Sequence, residues 1–395
     1  MTRTPSARLK RGRDKSLRNR HPWIFSGAFS DTPRKVEAGE IIDVLADDGA
    51  WIARGAFNPT SSLAFRALSW DREVDVGEAL VTARLHAAIG RRPDWQGRRL
   101  VHMEADGLPG LIVDQYGPVL SLQILTPWAE RHRDLIVEVL REALAPAAIF
   151  ERSDSKARAR EGLDERSGLL WGALPEGRVV IVEGEGERSG KMLIDVEEGQ
   201  KTGFFLDQRE SRWKVAERCS GARVLNAFSY TGGFAIACAA AGAAEITNVD
   251  ISAQALALGE EAAALNGIQD RVKSVKADVF EDLRRRAKEG ERWDAIVLDP
   301  PKFAHGKATL ERACRGYKDI NLMAMRLLRP GGTLATFSCS GMVTPSLFRS
   351  VVAGAAADAG RDVVLVEQLT QPIDHPILMT FPESEYLKGL ILRVD

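Results

Sequence analysis

From about residue 190 the chain repeats a strand-like run followed by a helix-like run, and no other feature restricts its fold so tightly. "ARVLNAF" precedes "GFAIACAAAGA", "AEITNVDI" precedes "AQALALGEEAAALNG", and "RVKSVKAD" precedes "VFEDLRRRAKEG". "WDAIVLD" then leads into a long helix through "INLMAMRLL", and "GTLATFSC" into "SLFRSVVAGAAADAG". Strands joined by helices of this length need crossover connections, which give a mostly parallel sheet with helices on both faces. Ligands of such sheets bind beyond the carboxyl ends of the strands, so chemistry is sought in the residues just after each one.

Two regions precede this one, as expected of a 395-residue chain, which is more than one hydrophobic core usually supports. Residues 1–75 hold short β-like pieces, "EIIDVLA", "WIARGAF" and "LAFRALS", divided by "DDG" and "NPTSS"; they predict a small β-barrel. Residues 76–188 mix "GEALVTARLHAAIGRR" and "WAERHRDLIVEVLREAL" with β-like "LPGLIVDQYG", "VLSLQIL", "AAIFER" and "RVVIVEG", which predicts an α+β layer. The Gly/Glu-rich "EGEGERSGKM" reads as the joint before a third domain over 189–395.

With 45% apolar and 28% charged residues the chain is ordinary globular protein. Its longest apolar stretches fall short of the roughly 20 residues that span a bilayer, so no membrane partner is expected. The start is polar and basic without a signal-peptide core, and Cys219, Cys238, Cys314 and Cys339 show neither pairing nor metal-ligand spacing. We expect a cytoplasmic protein with reduced thiols. Net charge is −1, yet residues 1–20 carry eight Lys/Arg, among them Arg3, Arg11 and Arg20, against Asp14 alone. Such a segment can neutralise phosphates of a nucleic acid; the plainer reading is a solvated, partly disordered tail.

The strand ends carry the sharper signals. After the first, "LNAFSYTGGF" places Gly232 and Gly233 where a ligand can approach the backbone and a helix N-terminus. It lacks the full G-x-G-x-x-G set, which weakens a dinucleotide reading. The second strand ends in Asp250, eighteen residues after Gly232, where an acid can accept from both ribose hydroxyls; Ser252 is the better helix cap there. Asp278 follows the third, as either an adenine contact or an N-cap. "LDPPKF" ends the fourth: two prolines stiffen the loop, leaving the Asp299 carboxylate for the edge of a flat heterocycle and an exposed Phe303 ring for its face. The fifth ends in Cys339. A buried cysteine is the commoner fate, but its place on the same edge as three acids favours a nucleophile, with Cys314 as competitor. Upstream, "GQKTGFFLDQRESR" sets Lys201, Asp207, Gln208, Arg209 and Arg212 around two aromatics; it reads as a lid with Gln208 and Arg209 turned to a cofactor, or as the start of an amphipathic helix.

In order along nearly the whole chain, "HPWIFSGA" (21–28), "DGLPGLIVD" (106–114), "KTGFFLDQRESR" (201–212), "LNAFSYTGGFA" (225–235), "DPPKF" (299–303), "CRGYKDIN" (314–321), "FSCSG" (337–341) and "EYLKG" (385–389) resemble the bacterial 23S rRNA large-subunit methyltransferase I family. That family makes 5-methylcytosine from S-adenosylmethionine. The resemblance implies an N-terminal PUA-type RNA-binding barrel, a central α+β domain and a class I methyltransferase (Rossmann-like) α/β domain whose last strand, here "LKGLILRV", enters the sheet antiparallel. It implies methionine and ribose contacts from Phe228 through Gly233 (with Ser229, Tyr230, Thr231 and Gly232) and at Asp250, the adenine edge at Asp278 and the target base at Asp299; beside it, Gln208, Arg209, Asn226, Ser252 and Asp299 are also expected at the cofactor. Base and RNA contacts fall to Phe303, Lys302, Arg11 and Arg20, catalysis to Cys339 with Asp299, and the partner is 23S rRNA or a large-subunit precursor; a homodimer is admitted. Many RNA cytosine-C5 methyltransferases carry a second cysteine where this chain has Pro301. The group that removes the C5 proton is therefore open.

Three rivals remain at this level. A ring-nitrogen or amine methyltransferase would need the D-P-P-aromatic loop but no thiol. An RNA-binding assembly factor would need none of Asp250, Asp299 and Cys339. A nicotinamide dehydrogenase would need the pyrophosphate loop that this chain lacks.

Overall fold

The computed structural model describes residues 4–304 and 306–395. Arg3 of the basic run lies outside the described residues. The chain divides into two compact units, one made of residues 1–179, 194–204 and 373–384 and the other of 180–193, 205–372 and 385–395.

In the first unit, strands Ser6–Leu9, Trp23–Ile24, Phe29–Asp31, Ile41–Leu45, Trp51–Phe57 and Phe65–Ser69 form a six-stranded sheet. The basic start is therefore not a disordered tail: Ser6–Leu9 pairs parallel with Ile41–Leu45 and buries Ala7 and Leu9, while Arg11 and Arg20 stay exposed. A five-stranded sheet follows, built from Gly97–His102, Leu111–Tyr116, Val119–Ile124, Ala148–Ser153 and Arg166–Gly172. Two later segments join this unit through buried polar bonds. Thr202 Oγ1 donates to Asp114 (2.6 Å), Phe204 N donates to Tyr116 Oη (3.1 Å), and Arg99 N donates to Asp374 (2.8 Å).

The Gly/Glu-rich stretch read as a joint is instead a β-hairpin of Val179–Glu185 and Arg188–Ile194. The strand Val179–Glu185 alternates inward and outward residues, and left-handed angles fall at Gly184 (φ 86°), near its end, and at Gly186 (φ 56°), in the turn.

The second unit is built on β1 (Arg223–Ala227), β2 (Glu245–Asp250), β3 (Val272–Lys276), β4 (Trp293–Leu298), β5 (Leu328–Ser338), β6 (Val363–Leu369) and β7 (Lys388–Val394). Its order is β3-β2-β1-β4-β5-β7-β6, parallel except for β7, which enters antiparallel between β5 and β6. Six helices flank it: α1 (Arg209–Ala216), α2 (Gly233–Ala240), α3 (Ala253–Leu265), α4 (Val279–Lys288), α5 (Leu310–Leu327) and α6 (Pro345–Ala359). Central strands read as unbroken apolar runs because both faces are covered, as in β4, where Trp293 and Ala295 through Leu298 are all buried. Along α5 the buried positions Ala313, Tyr317, Ile320, Asn321 and Ala324 recur at helical spacing and press one face onto the sheet. Thr344 caps α6 by accepting from Leu347 N, with Pro345 fixing the first turn. This packing brings the ends of β1, β2, β4 and β5 to one edge.

Candidate active site

The turn after β1 is held in an unusual backbone conformation. Phe228 (φ 59°) and Tyr230 (φ 48°) adopt left-handed angles that cost about 1–3 kcal/mol each, and Gly232 (φ 76°) follows. A Cβ on Gly232 would come within 2.9 Å of Asn248 Nδ2, so a side chain is excluded there twice over. Asp250 offsets part of this strain: its carboxylate accepts from Tyr230 N (2.8 Å) and Ser252 N (2.9 Å), tying the turn to the start of α3. Ser252 itself caps α3 through Ala255 N. Asn226 donates to Asn248 across the β1–β2 pair (2.9 Å), a partner that sequence reading missed.

Around this turn, three buried polar atoms lack a hydrogen-bond partner among the described residues: Asn226 Oδ1, Ser229 Oγ and Gln208 Oε1. Leaving such an atom unpaired costs about 1–3 kcal/mol. These oxygens suit the ammonium and hydroxyl donors of a ligand, while the free N–H groups at the N-terminus of α2 suit its carboxylate or another acceptor.

The loop after β4 is tied to the same place. Gln208 Nε2 donates to Asp299 Oδ1 (2.9 Å), so the amide meets the carboxylate directly. Lys302 is exposed, but the Phe303 ring is half-buried rather than open. It packs 4.7 Å from Tyr317 and 5.8 Å from Phe280, with Phe228 completing the cluster at 6.4 Å. The ring lies over Gly316 of α5, where a Cβ would meet it at 3.4 Å, an ordinary van der Waals contact. Asp278 is exposed and caps α4, accepting from Phe280 N (2.8 Å) and Glu281 N (3.2 Å); of its two readings the cap is the one seen.

Cys339 follows β5 and is half-buried, and both its neighbours are anchored. Ser338 Oγ donates to Tyr317 Oη (3.0 Å), Tyr317 Oη meets Ser340 Oγ (3.1 Å), and Ser340 Oγ accepts from Ala304 N (3.3 Å). The thiol turn, helix α5 and the proline loop thus share one hydrogen-bonded chain. Burial pushes the Tyr317 phenol up, which keeps it protonated and able to donate. On the other side Lys388, the cross-strand partner of Ser338, is buried and donates to the carbonyls of Ser340 (2.8 Å) and Tyr386 (2.7 Å). Burial lowers its amine to about 8, opposed by Cys339 and Glu385 and assisted by Lys302. Neither Tyr317 nor Lys388 was singled out by sequence; the signal was two serines at and just beyond the end of an apolar strand, which need partners once buried.

The other thiols are less suited to chemistry. Burial raises Cys314, and Cys219 and Cys238 lie fully buried with sulfurs 3.4 Å apart. In the segment read as a lid or the start of an amphipathic helix, Arg212 makes a two-pronged pair with buried Glu183 (2.9 and 2.6 Å), and Asp207 accepts from Tyr386 Oη (2.8 Å). These partners lie about 29 and 179 residues away in sequence, which is why the charges looked uncompensated. Arg209 opens α1 half-buried. Arg11 and Arg20 belong to the first unit, where the Arg20 guanidinium lies 5.9 Å from the Trp70 ring.

A family model described as S-adenosylmethionine-dependent methyltransferase matches residues 173–393, and one described as a PUA-like domain matches residues 7–70. The chain is 47% identical over 395 residues to the ribosomal RNA large subunit methyltransferase I of Shewanella amazonensis, with 98% of each chain covered. It is 43% identical to that of Klebsiella pneumoniae, covering 99% of this chain and 98% of the relative. In three dimensions it is similar to a SAM-dependent methyltransferase from Streptococcus mutans, with a TM-score of 0.85 at 19% identity over 99% of this chain and 100% of that one. A second methyltransferase structure, complexed with SAH, matches with the same TM-score at 20% identity and the same coverage. At these identities the structural likeness concerns the fold.

Proposed function

The chain belongs to the ribosomal RNA large subunit methyltransferase I family and uses S-adenosylmethionine, and from that premise we propose that it methylates C5 of a cytosine in 23S rRNA through a covalent Cys339–C6 bond. The observation that carries this reading is the anchored turn Ser338-Cys339-Ser340, which shares hydrogen bonds with the loop bearing Asp299.

The cofactor supplies an electrophilic methyl group on its sulfonium. Asn226, Ser229 and Gln208 would hold its polar ends at the end of β1, with Asp250 at the ribose. Cytosine C5 is a weak nucleophile, so Cys339 as thiolate adds to C6, and the electron pair displaced toward C5 makes that carbon reactive. Asp299 faces N3 and the amino group of the base and, by sharing a proton with N3, limits charge build-up on the ring. After methylation a base takes the C5 proton, the C5–C6 double bond re-forms, and the Cys339–C6 bond breaks to return the thiolate. Arg11, Arg20 and Lys302 would contact phosphates, giving salt-dependent RNA affinity.

Replacing Cys339 by Ala is expected to lower methyl transfer by roughly a thousandfold or more while S-adenosylmethionine still binds. RNA carrying 5-fluorocytidine should form a stable adduct with the wild type only, since fluorine cannot leave as a proton. Full methylation by the Ala variant, with no adduct on the wild type, would sink the thiol mechanism and favour attack by a ring nitrogen or amine.

A further inference from the structure

Lys388 occupies a position that the reaction outlined above does not use. It is the first residue of β7, paired in register with Ser338 of β5, and its side chain is buried. Two of its three N–H groups are committed to carbonyls, one of them that of Ser340, the residue after Cys339. Gly389 fixes this placement: a Cβ there would come within 2.5 Å of the Phe337 ring and 2.9 Å of Leu369 Cβ, so β7 can lie this close to β5 only with glycine at that point. A long cationic side chain is expensive to bury, and here two carbonyls orient it without neutralising it.

We propose that Lys388 is a positioning residue for Cys339: its ammonium, held on the Ser340 carbonyl, favours the thiolate over the thiol and so readies the nucleophile before the base arrives. The proposal rests on the reading of Cys339 as a nucleophile and adds the group that ionises it. The charged and titratable groups acting on Lys388 are Cys339 and Glu385, which favour its cationic form, and Lys302, which opposes it. Tyr317 adds a hydroxyl rather than a charge, since burial keeps it protonated. With an amine near 8, Lys388 is mostly cationic at neutral pH, where a thiol most needs such help.

The test reads the thiol itself. The rate of iodoacetamide alkylation at Cys339, followed by peptide mass spectrometry on the full chain between pH 6 and 10, is compared for wild type, Lys388→Met, Lys388→Gln and Lys388→Arg. We expect the Met and Gln variants to react about tenfold more slowly at pH 7 and to catch up at high pH, where the thiol ionises unaided; Arg should track the wild type. Gln retains amide donors for both carbonyls, so it carries the test if the Met variant does not fold. Superimposable profiles for wild type and Gln would overturn the proposal. So would a slowing of equal size at every pH, which marks altered access rather than ionisation. Alkylation needs no methyl transfer, so full methylation by the Cys339→Ala variant would defeat the cytosine reading while leaving this result standing.

Discussion

The turns after β1 and β5 sit on the same edge of one sheet, yet they are made in opposite ways. The first is shaped by the backbone: left-handed Phe228, Tyr230 and Gly232, with buried polar atoms left short of partners. The second is shaped by side chains: Tyr317, Ser338, Ser340 and Lys388 satisfy one another around Cys339. A turn with unmet hydrogen bonds is completed by what it binds. A turn with its bonds already met is rigid beforehand and holds a reacting atom in place. On the proposed reading, the difference separates a cofactor-binding end from a thiol end within one site.

The comparison breaks most visibly at Asp250. Asp250→Ala removes the acceptor that holds Tyr230 N and the expected ribose contact, and should weaken S-adenosylmethionine binding by roughly a hundredfold in calorimetry. An unchanged Kd would show that the β1 turn stands without it. Tyr317→Phe attacks the other turn, leaving Ser338 and Ser340 short of a buried partner. We expect kcat to drop about tenfold with cofactor Kd unchanged, and stability to fall by about 1–3 kcal/mol in urea titration. Equal loss of cofactor affinity would mean that the two turns are not separable.

Gly232→Ala should cost about 1–2 kcal/mol of stability through its positive φ and the approach to Asn248, and it should act on Kd more than on kcat. A further test is a pH dependence. Lys388 has a folded value near 8, below the ordinary 10.5, so between these the unfolded chain binds more protons than the folded one. The destabilisation from this amine is therefore complete below about pH 8 and fades as pH rises toward 10.5. Relative to Lys388→Met, the wild-type urea midpoint should climb across that window, and parallel curves would contradict it.

Sequence alone was enough to align the reacting edge. Asp250 ends β2, Asp299 directly follows β4 and Cys339 directly follows β5, because apolar runs and glycine-marked turns are local signals. What escaped was the partner of each polar group. Tyr317 meets Ser338 from 21 residues upstream and Lys388 meets Ser340 from 48 residues downstream; neither spacing leaves a periodic trace. The same blindness hid the Glu183 partner of Arg212, made Phe303 look open when α5 covers it, and made a hairpin look like a joint.

The insertion of β7 between β5 and β6 also sets a schedule. While the ribosome is still adding residues before Lys388, β5 and β6 have no strand between them, and β5 presents an open edge of unpaired N–H and C=O groups next to the thiol turn. The nascent chain must keep that edge from pairing with a stranger until its final strand arrives. By the same order of events, the Cys339 turn meets Lys388 only once β7 joins the six strands that precede it in the chain.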